Sequence, residues 1–159
     1  MKKIFMALTF ALCIIFSAMV LAGDLEEDGI EVTTDDIGNV WYVDPTNVII
    51  DKNSDDELIF HATFTVIFSD KGKKELVDFY RTQIENAPGL DTVTMIIEKI
   101  HFRKVGEKTY SSATDVIFYD KDKKVIEGLG YVDYEVEWQP INAKTVSEEM
   151  YQVARLYAK

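Results

Sequence analysis

Residues 111–159 read SSATDVIFYDKDKKVIEGLGYVDYEVEWQPINAKTVSEEMYQVARLYAK, and this stretch decides the fold. The apolar segment Thr114–Tyr119 predicts a strand in which Thr114, Val116 and Phe118 point to one face, and the Asp-Lys-Asp-Lys sequence at 120–123 supplies a turn. Residues 124–127 are then expected to return as the second strand of a hairpin. Another alternating run, Tyr131–Trp138, predicts a further strand.

The chain is predicted to close with an amphipathic helix. Thr145 followed three residues later by Glu148 has the spacing of a capping box, which satisfies backbone N–H groups at a helix start. Apolar residues recur at helical spacing behind it: Val146, Met150, Val153 and Tyr157.

Upstream, the longest alternating run predicts the central strand. Leu58–Phe68 alternates without a fault and spans roughly 35 Å at about 3.3 Å per residue. Asp70 is placed to cap a following helix, which Pro88-Gly89 would end. Asp91–Lys104 is then expected to be a strand that turns at Gly106.

Two short strands are predicted before the central one. They are Val40–Val43 and Asn47–Ile50, and Pro45 is expected to separate them because proline cannot donate to a strand ladder. The whole pattern predicts an α+β fold. It would be a single antiparallel sheet of about six strands, with a C-terminal helix on its apolar face and one helix between the third and fourth strands. The other face is expected to be polar, and Phe64, Phe118 and Trp138 are the predicted core aromatics.

Several of these segments resemble the surface-adhesin protein E family. They are the hairpin at 119–125, Trp138-Gln139-Pro140-Ile141, the helix start at 145–148, Met150-Tyr151 and the upstream Trp41-Tyr42-Val43-Asp44. The resemblance implies adhesion to host extracellular-matrix proteins such as vitronectin or laminin, and a homodimer. The chain departs from the family in two ways, since it lacks a cysteine pair found in members and the lipid anchor of the namesake.

The N-terminus predicts export. Lys2 and Lys3 precede an apolar run to Ala22, where small residues suit a leader peptidase, so residues 1–22 are interpreted as a cleaved signal peptide. An uncleaved N-terminal anchor is the alternative, and no later segment is predicted to span a membrane. Asp24 stands where a lipidation signal requires cysteine, and the only cysteine, Cys13, lies inside the signal. We therefore expect a non-lipidated protein of the periplasm, cell surface or medium.

Charge restricts the partners. Without residues 1–22 the chain has 15 basic and 28 acidic residues, a net charge of −13, which disfavours nucleic acid. Seven of the acids lie in 23–38 with no base, so this segment is predicted to be a flexible leader before a single domain at 39–159.

A basic patch is the predicted binding site. Its residues are Lys99, His101, Arg103, Lys104 and Lys108, of which the first three project from one face of a strand. A protein ligand with acidic segments would fit it. The alternative is that Asp133, Glu135 and Glu137 neutralise the patch across the same sheet.

Metal and catalytic readings are disfavoured. A calcium loop beginning at Asp51 fails because Asp56 and Ala62 occupy the glycine and glutamate positions. A zinc site would need both histidines, His61 and His101, brought together with a carboxylate, and the cations beside His101 oppose that. No cofactor, metal or nucleophile motif is therefore predicted, and the protein is expected not to be an enzyme.

The leading functional hypothesis is an exported, adhesin-like binding protein. A small-ligand carrier with a pocket between the helix at 146–157 and the sheet is the alternative. A hydrolase is the third hypothesis, because no sequence motif identifies a catalytic nucleophile.

Overall fold

The computed structural model describes residues 29–83, 87–126 and 136–159. These ranges contain six strands, two α-helices and a 3₁₀ turn: β1 (Ile30–Thr34), β2 (Val40–Asn53), β3 (Glu57–Ile67), α1 (Asp70–Gln83), the 3₁₀ turn Leu90–Thr92, β4 (Val93–Val105), β5 (Lys108–Asp120), β6 (Gln139–Pro140) and α2 (Val146–Tyr157). The strands form one antiparallel sheet in chain order, β1 to β6. The predicted α+β fold class is confirmed, including the helix between β3 and β4 and the C-terminal helix.

The face of the sheet that carries the helices, here called the inner face, is built around β3. Every second β3 residue from Phe60 to Val66 is completely buried. Directly opposite them on β4 lie Phe102, Ile100, Glu98 and Ile96. Strand alternation thus gives two neighbouring rows of inward side chains, of which only Glu98 is charged.

Helix α2 covers one end of the inner face. Thr145 caps it by accepting a hydrogen bond from the Glu148 N–H at 3.3 Å, as its spacing predicts. Three α2 residues are buried against the sheet in one apolar cluster: Met150, Tyr151 and Ala154. The Tyr151 ring lies 5.8 Å from the rings of both Phe60 and Phe102. Burial on this scale contributes about 2 kcal/mol for each large side chain.

Helix α1 covers the other end of the inner face, where Val77 packs in a second cluster with Phe118. The predicted cap by Asp70 is wrong, because Asp70 is already the first helical residue. The Ser69 hydroxyl accepts from the Gly72 N–H at 3.0 Å instead. Ser69 suits this position because its oxygen reaches the N–H three residues on.

The N-terminal strands differ from the prediction. Part of the expected flexible leader, Ile30–Thr34, is strand β1, in which Ile30 and Val32 pack against the core. The expected break at Pro45 is also wrong, since β2 runs on through it. The ladder shifts register between Val43 and Val48, so the missing proline N–H falls where no ladder partner is required.

The predicted hairpin after β5 is confirmed in part. Tyr119 forms a bridge with Val125 across the turn, and the Ile126 N–H donates to the Phe118 carbonyl at 2.9 Å. Most of the predicted strand at 131–138 lies outside the described residues, while 136–138 are not strand and β6 follows them. Phe64 and Phe118 are buried as predicted.

Two expectations about side-chain environment are wrong. Trp138 is only partly buried, because its described contact is with the Arg103 guanidinium rather than the core. The opposite side of the sheet, here called the outer face, is not polar throughout. Met95, Ile97 and Tyr119 are buried there in a small apolar cluster. The 3₁₀ turn also moves the start of β4 to Val93.

Candidate functional site

The structure brings three of the five predicted site residues together. Lys99, His101 and Arg103 occupy alternate positions of β4 on the outer face, as predicted. Lys104 follows Arg103 directly, so strand alternation places it on the opposite side. Lys108 lies beyond the turn, at the start of β5, and lines a separate groove.

Arg103 already has acidic and aromatic neighbours. Its Nε donates to Glu57 Oε1, and its Cζ lies 5.8 Å from the centre of the Trp138 ring. Lys52 also donates to Glu57. The hydrogen bonds from Lys52 and then Arg103 hold the pKa of Glu57 below its ordinary value. Glu57 therefore offsets part of the positive charge of the basic patch.

Neutralisation of the basic patch by Asp133, Glu135 and Glu137 stays a prediction, because most of these acids are not among the described residues. Asp133 and Glu135 lie outside them. Glu137 is described, and its backbone N–H donates to the Ser112 hydroxyl at 3.0 Å. Ser112 faces His101 across β4 and β5, so the chain at Glu137 passes close to the outer face.

The two histidines of the chain face each other on the outer face. His61 of β3 and His101 of β4 are direct cross-strand partners, and their ring centres are 5.2 Å apart. Asp51 of β2 completes the group. Its carboxylate lies 2.8 Å from His61 Nδ1 and 3.8 Å from His101 Nδ1. We call these three residues the His–Asp cluster.

A β-bulge places Asp51 in this cluster. The β2 and β3 ladder pairs Ile50 with Phe60 and then Lys52 with Ile59, so Asp51 is an extra residue without a ladder partner. A bulge of this kind bends the strand locally and changes the direction in which the extra residue's side chain points. Three neighbouring strands therefore contribute one side chain each.

The environment of the cluster favours neutral imidazole at His101. Burial lowers the pKa of His101, and the charge of Lys99 and then that of His61 lower it further, while Asp51 and Asp115 act in the opposite direction. The side chains of His61 and His101 are 16% and 18% exposed, so both rings still reach solvent.

Sequence reasoning named the histidines but missed the carboxylate. The zinc reading required both histidines and an acid in one place, and the structure supplies Asp51 for that role. Helix α1 separates β3 from β4 in the chain, so their register does not follow from local spacing. The bulge at Asp51 has no marker in the sequence, since neither glycine nor proline occurs beside it.

A groove lies between α2 and the edge of the sheet formed by β5 and β6, in the region where the carrier hypothesis places a pocket. The groove has a volume of about 600 Å³. Its lining residues include Lys108, Tyr110, Ile141, Tyr151 and Gln152. The Tyr151 hydroxyl is buried without a hydrogen-bond partner among the described residues.

Comparisons of the chain with protein-family models, curated proteins and solved structures find no match to any of them. Neither helix among the described residues has the length and apolar character needed to cross a membrane.

Proposed function

We propose that this protein is an exported, non-enzymatic binding domain that holds a protein partner against the outer face of β3 and β4. By its resemblance to the surface-adhesin protein E family, the partners would be host matrix proteins such as vitronectin or laminin. The predicted signal peptide and the acidic composition of the chain are consistent with a protein that works outside the cytoplasm.

One observation carries the proposal. Lys99, His101 and Arg103 stand in a row on the outer face, each partly exposed, in a protein that has 28 acidic residues. Complementary charge speeds encounter and selects partners, so an acidic segment of a ligand would be attracted to this row. Trp138 and Tyr110 border it, and aromatic residues are enriched in protein interfaces.

A binding assay with matched charge variants tests the proposal. The protein, expressed as residues 1–159, is passed over immobilised vitronectin and laminin at increasing salt. We expect saturable binding that weakens with salt, and a loss of about tenfold or more, equivalent to about 1.4 kcal/mol, in the Lys99→Gln/Arg103→Gln double variant.

The control removes two lysines elsewhere. Lys71 and Lys74 are exposed on α1, so Lys71→Gln/Lys74→Gln makes the same charge change away from the outer face. Thermal unfolding of both double variants checks for loss of the Arg103 to Glu57 contact. Absence of binding to both matrix proteins, or equal weakening by the two double variants, would reject the proposal.

The groove beside α2 favours a second candidate function, that of a small-ligand carrier. Its volume falls in the range of about 300–1,000 Å³ that is usual for ligand sites, and polar and apolar side chains line it together. Native mass spectrometry of the purified protein would then reveal a bound compound. The exposed Ala143 lines the groove, and Ala143→Trp, which fills it, should abolish that binding. If neither the wild-type protein nor the Ala143→Trp variant carries a bound compound, the result argues against a carrier.

A further inference from the structure

The geometry of the His–Asp cluster points to a divalent transition-metal site on the outer face, in which Asp51, His61 and His101 bind Zn²⁺. Two imidazole nitrogens and one carboxylate oxygen are a usual ligand set for zinc that keeps an open position for water or another group. Calcium and magnesium prefer oxygen ligands throughout, so a site with two nitrogens selects zinc, nickel or copper.

The distances fit an ion with little rearrangement. One ligand atom from each of the three residues lies within 4.8 Å of the other two. Tetrahedral zinc with bonds of about 2.0–2.1 Å holds its ligand atoms about 3.3 Å apart. The distance from the Asp51 carboxylate to His61 Nδ1, 2.8 Å, is about 0.5 Å shorter than this, and its distance to His101 Nδ1, 3.8 Å, is about 0.5 Å longer. Each contact therefore needs an adjustment of about half an ångström.

The backbone holds all three ligands in place. His61 and His101 are opposite each other in a regular part of the β3 and β4 ladder, and the bulge presents Asp51 from β2. An ion at this point would join three neighbouring strands of one sheet. Sites built on strands are held more rigidly than sites on loops.

The flanking cations do not leave the site strongly positive. Arg103 is bound to Glu57, and Lys99 lies directly opposite Asp115 in the β4 and β5 ladder. Together with Asp51, these acids balance the two cations that the sequence placed beside His101. The partial exposure of both rings also leaves a path for an ion to enter from solvent.

The test uses zinc and the untagged, full-length protein, since an affinity tag of histidines would bind the metal itself. Titration against a fluorescent zinc chelator should give one ion per chain. The chain has only two histidines, so both sets of imidazole NMR signals can be assigned and followed. We expect both to shift together as zinc is added, and Co²⁺ to give a visible absorption band at the same stoichiometry.

Variants distinguish the site from general binding to acidic groups. Asp51→Asn and His101→Gln should each weaken zinc binding by more than about tenfold, the smallest loss usual even for residues outside the ligand set. Asp56→Asn makes the same charge change at an exposed position of the β2 and β3 turn, and should leave the affinity unchanged. Zinc at 100 times its dissociation constant should raise the unfolding midpoint of the wild-type protein by about 8 °C.

Three results would overturn the assignment. They are no saturable zinc binding, zinc-induced shifts in one histidine or neither, and equal affinity in Asp51→Asn, His101→Gln and the control. The NMR result needs no variant, so a substitution that unfolds the protein does not remove the test. No protein partner is present in these measurements, so they succeed or fail independently of the binding proposed for the basic row.

Discussion

Glu98 makes the stability of the protein depend on pH. It lies between Ile96 and Ile100 in the inward row of β4, and its neighbours across the ladders are the buried Phe64 and Val116. None of the described residues forms an ion pair or hydrogen bond with its carboxylate. Burial raises the pKa of Glu98 from 4.5 to about 7.

The sign and size of the effect follow from proton binding. Between pH 4.5 and about 7 the folded protein holds a proton on Glu98 that the unfolded chain has released. Stability from this group is therefore complete below pH 4.5 and is lost as pH rises to about 7. Each pH unit of difference corresponds to about 1.4 kcal/mol, which gives at most about 3.5 kcal/mol. Because the side chain keeps some exposure, we expect about 1.5–3 kcal/mol.

Glu98→Gln isolates this contribution, because glutamine has nearly the same shape and does not titrate. Urea unfolding of the variant and the wild type is measured from pH 4 to 8.5, and the difference in unfolding free energy is plotted against pH. We expect the variant to gain about 1.5–3 kcal/mol relative to the wild type between the acidic and the alkaline end.

The control is Glu75→Gln, which removes an exposed glutamate on α1 and matches the change in net charge. Its difference from the wild type should stay within about 0.5 kcal/mol across the range. A flat difference for Glu98→Gln would show that the carboxylate is solvated. A difference that falls with rising pH would show that the ionised form is stabilised, and either result refutes the reasoning.

Two further substitutions test the helix starts. Gly72→Ala would place a Cβ 1.7 Å from Asn39 Oδ1, which accepts from the Ser69 N–H, so we expect a net loss of about 1–2 kcal/mol in urea unfolding despite the better helix propensity of alanine. In an Asn39→Ala background the same change should be neutral or stabilising, and an unchanged loss there would contradict the clash. Thr145→Ala removes the α2 cap and should lower the free energy of unfolding by about 1 kcal/mol. The comparison is Thr82→Ala, at an exposed position near the C-terminus of α1, where the same substitution removes no N-cap. A loss below about 0.3 kcal/mol for Thr145→Ala would exclude a capping role.

The sequence predicts those elements whose signals are local. Strand β3 follows from unbroken alternation, and α2 follows from the spacing of Thr145 and Glu148, because both patterns are read within one element. The capping box differs in one detail: the Glu148 carboxylate accepts from the Lys144 N–H at 2.6 Å.

The missed features depend on partners remote in the chain. The many acids of the leader predict a flexible segment, although it contains the apolar residues of β1. These residues form a strand only because β2 pairs with them. Pro45 is compatible with β2 because it lies where the ladder with β3 shifts register, between Val43 and Val48. There the Asp44 carboxylate accepts a hydrogen bond from the Thr46 N–H at 2.8 Å. The candidate site divides in the same way. Alternation placed Lys99, His101 and Arg103 on one face, but His61 opposite His101 required the long-range register of β3 and β4.

The order of the strands has a consequence for how the chain folds. Each strand pairs with the next one along the sequence, so most sheet contacts join parts of the chain that are near one another in sequence. The connections from β1 to β2, β2 to β3 and β4 to β5 are short, whereas α1 lies between β3 and β4. Helix α2 is the exception, since it returns from the end of the chain to β1 and β2, and the carbonyl of Lys159 accepts from the Ile50 N–H. During synthesis the aromatic row that includes Phe60 therefore stays uncovered by α2 until residues 146–157 have left the ribosome.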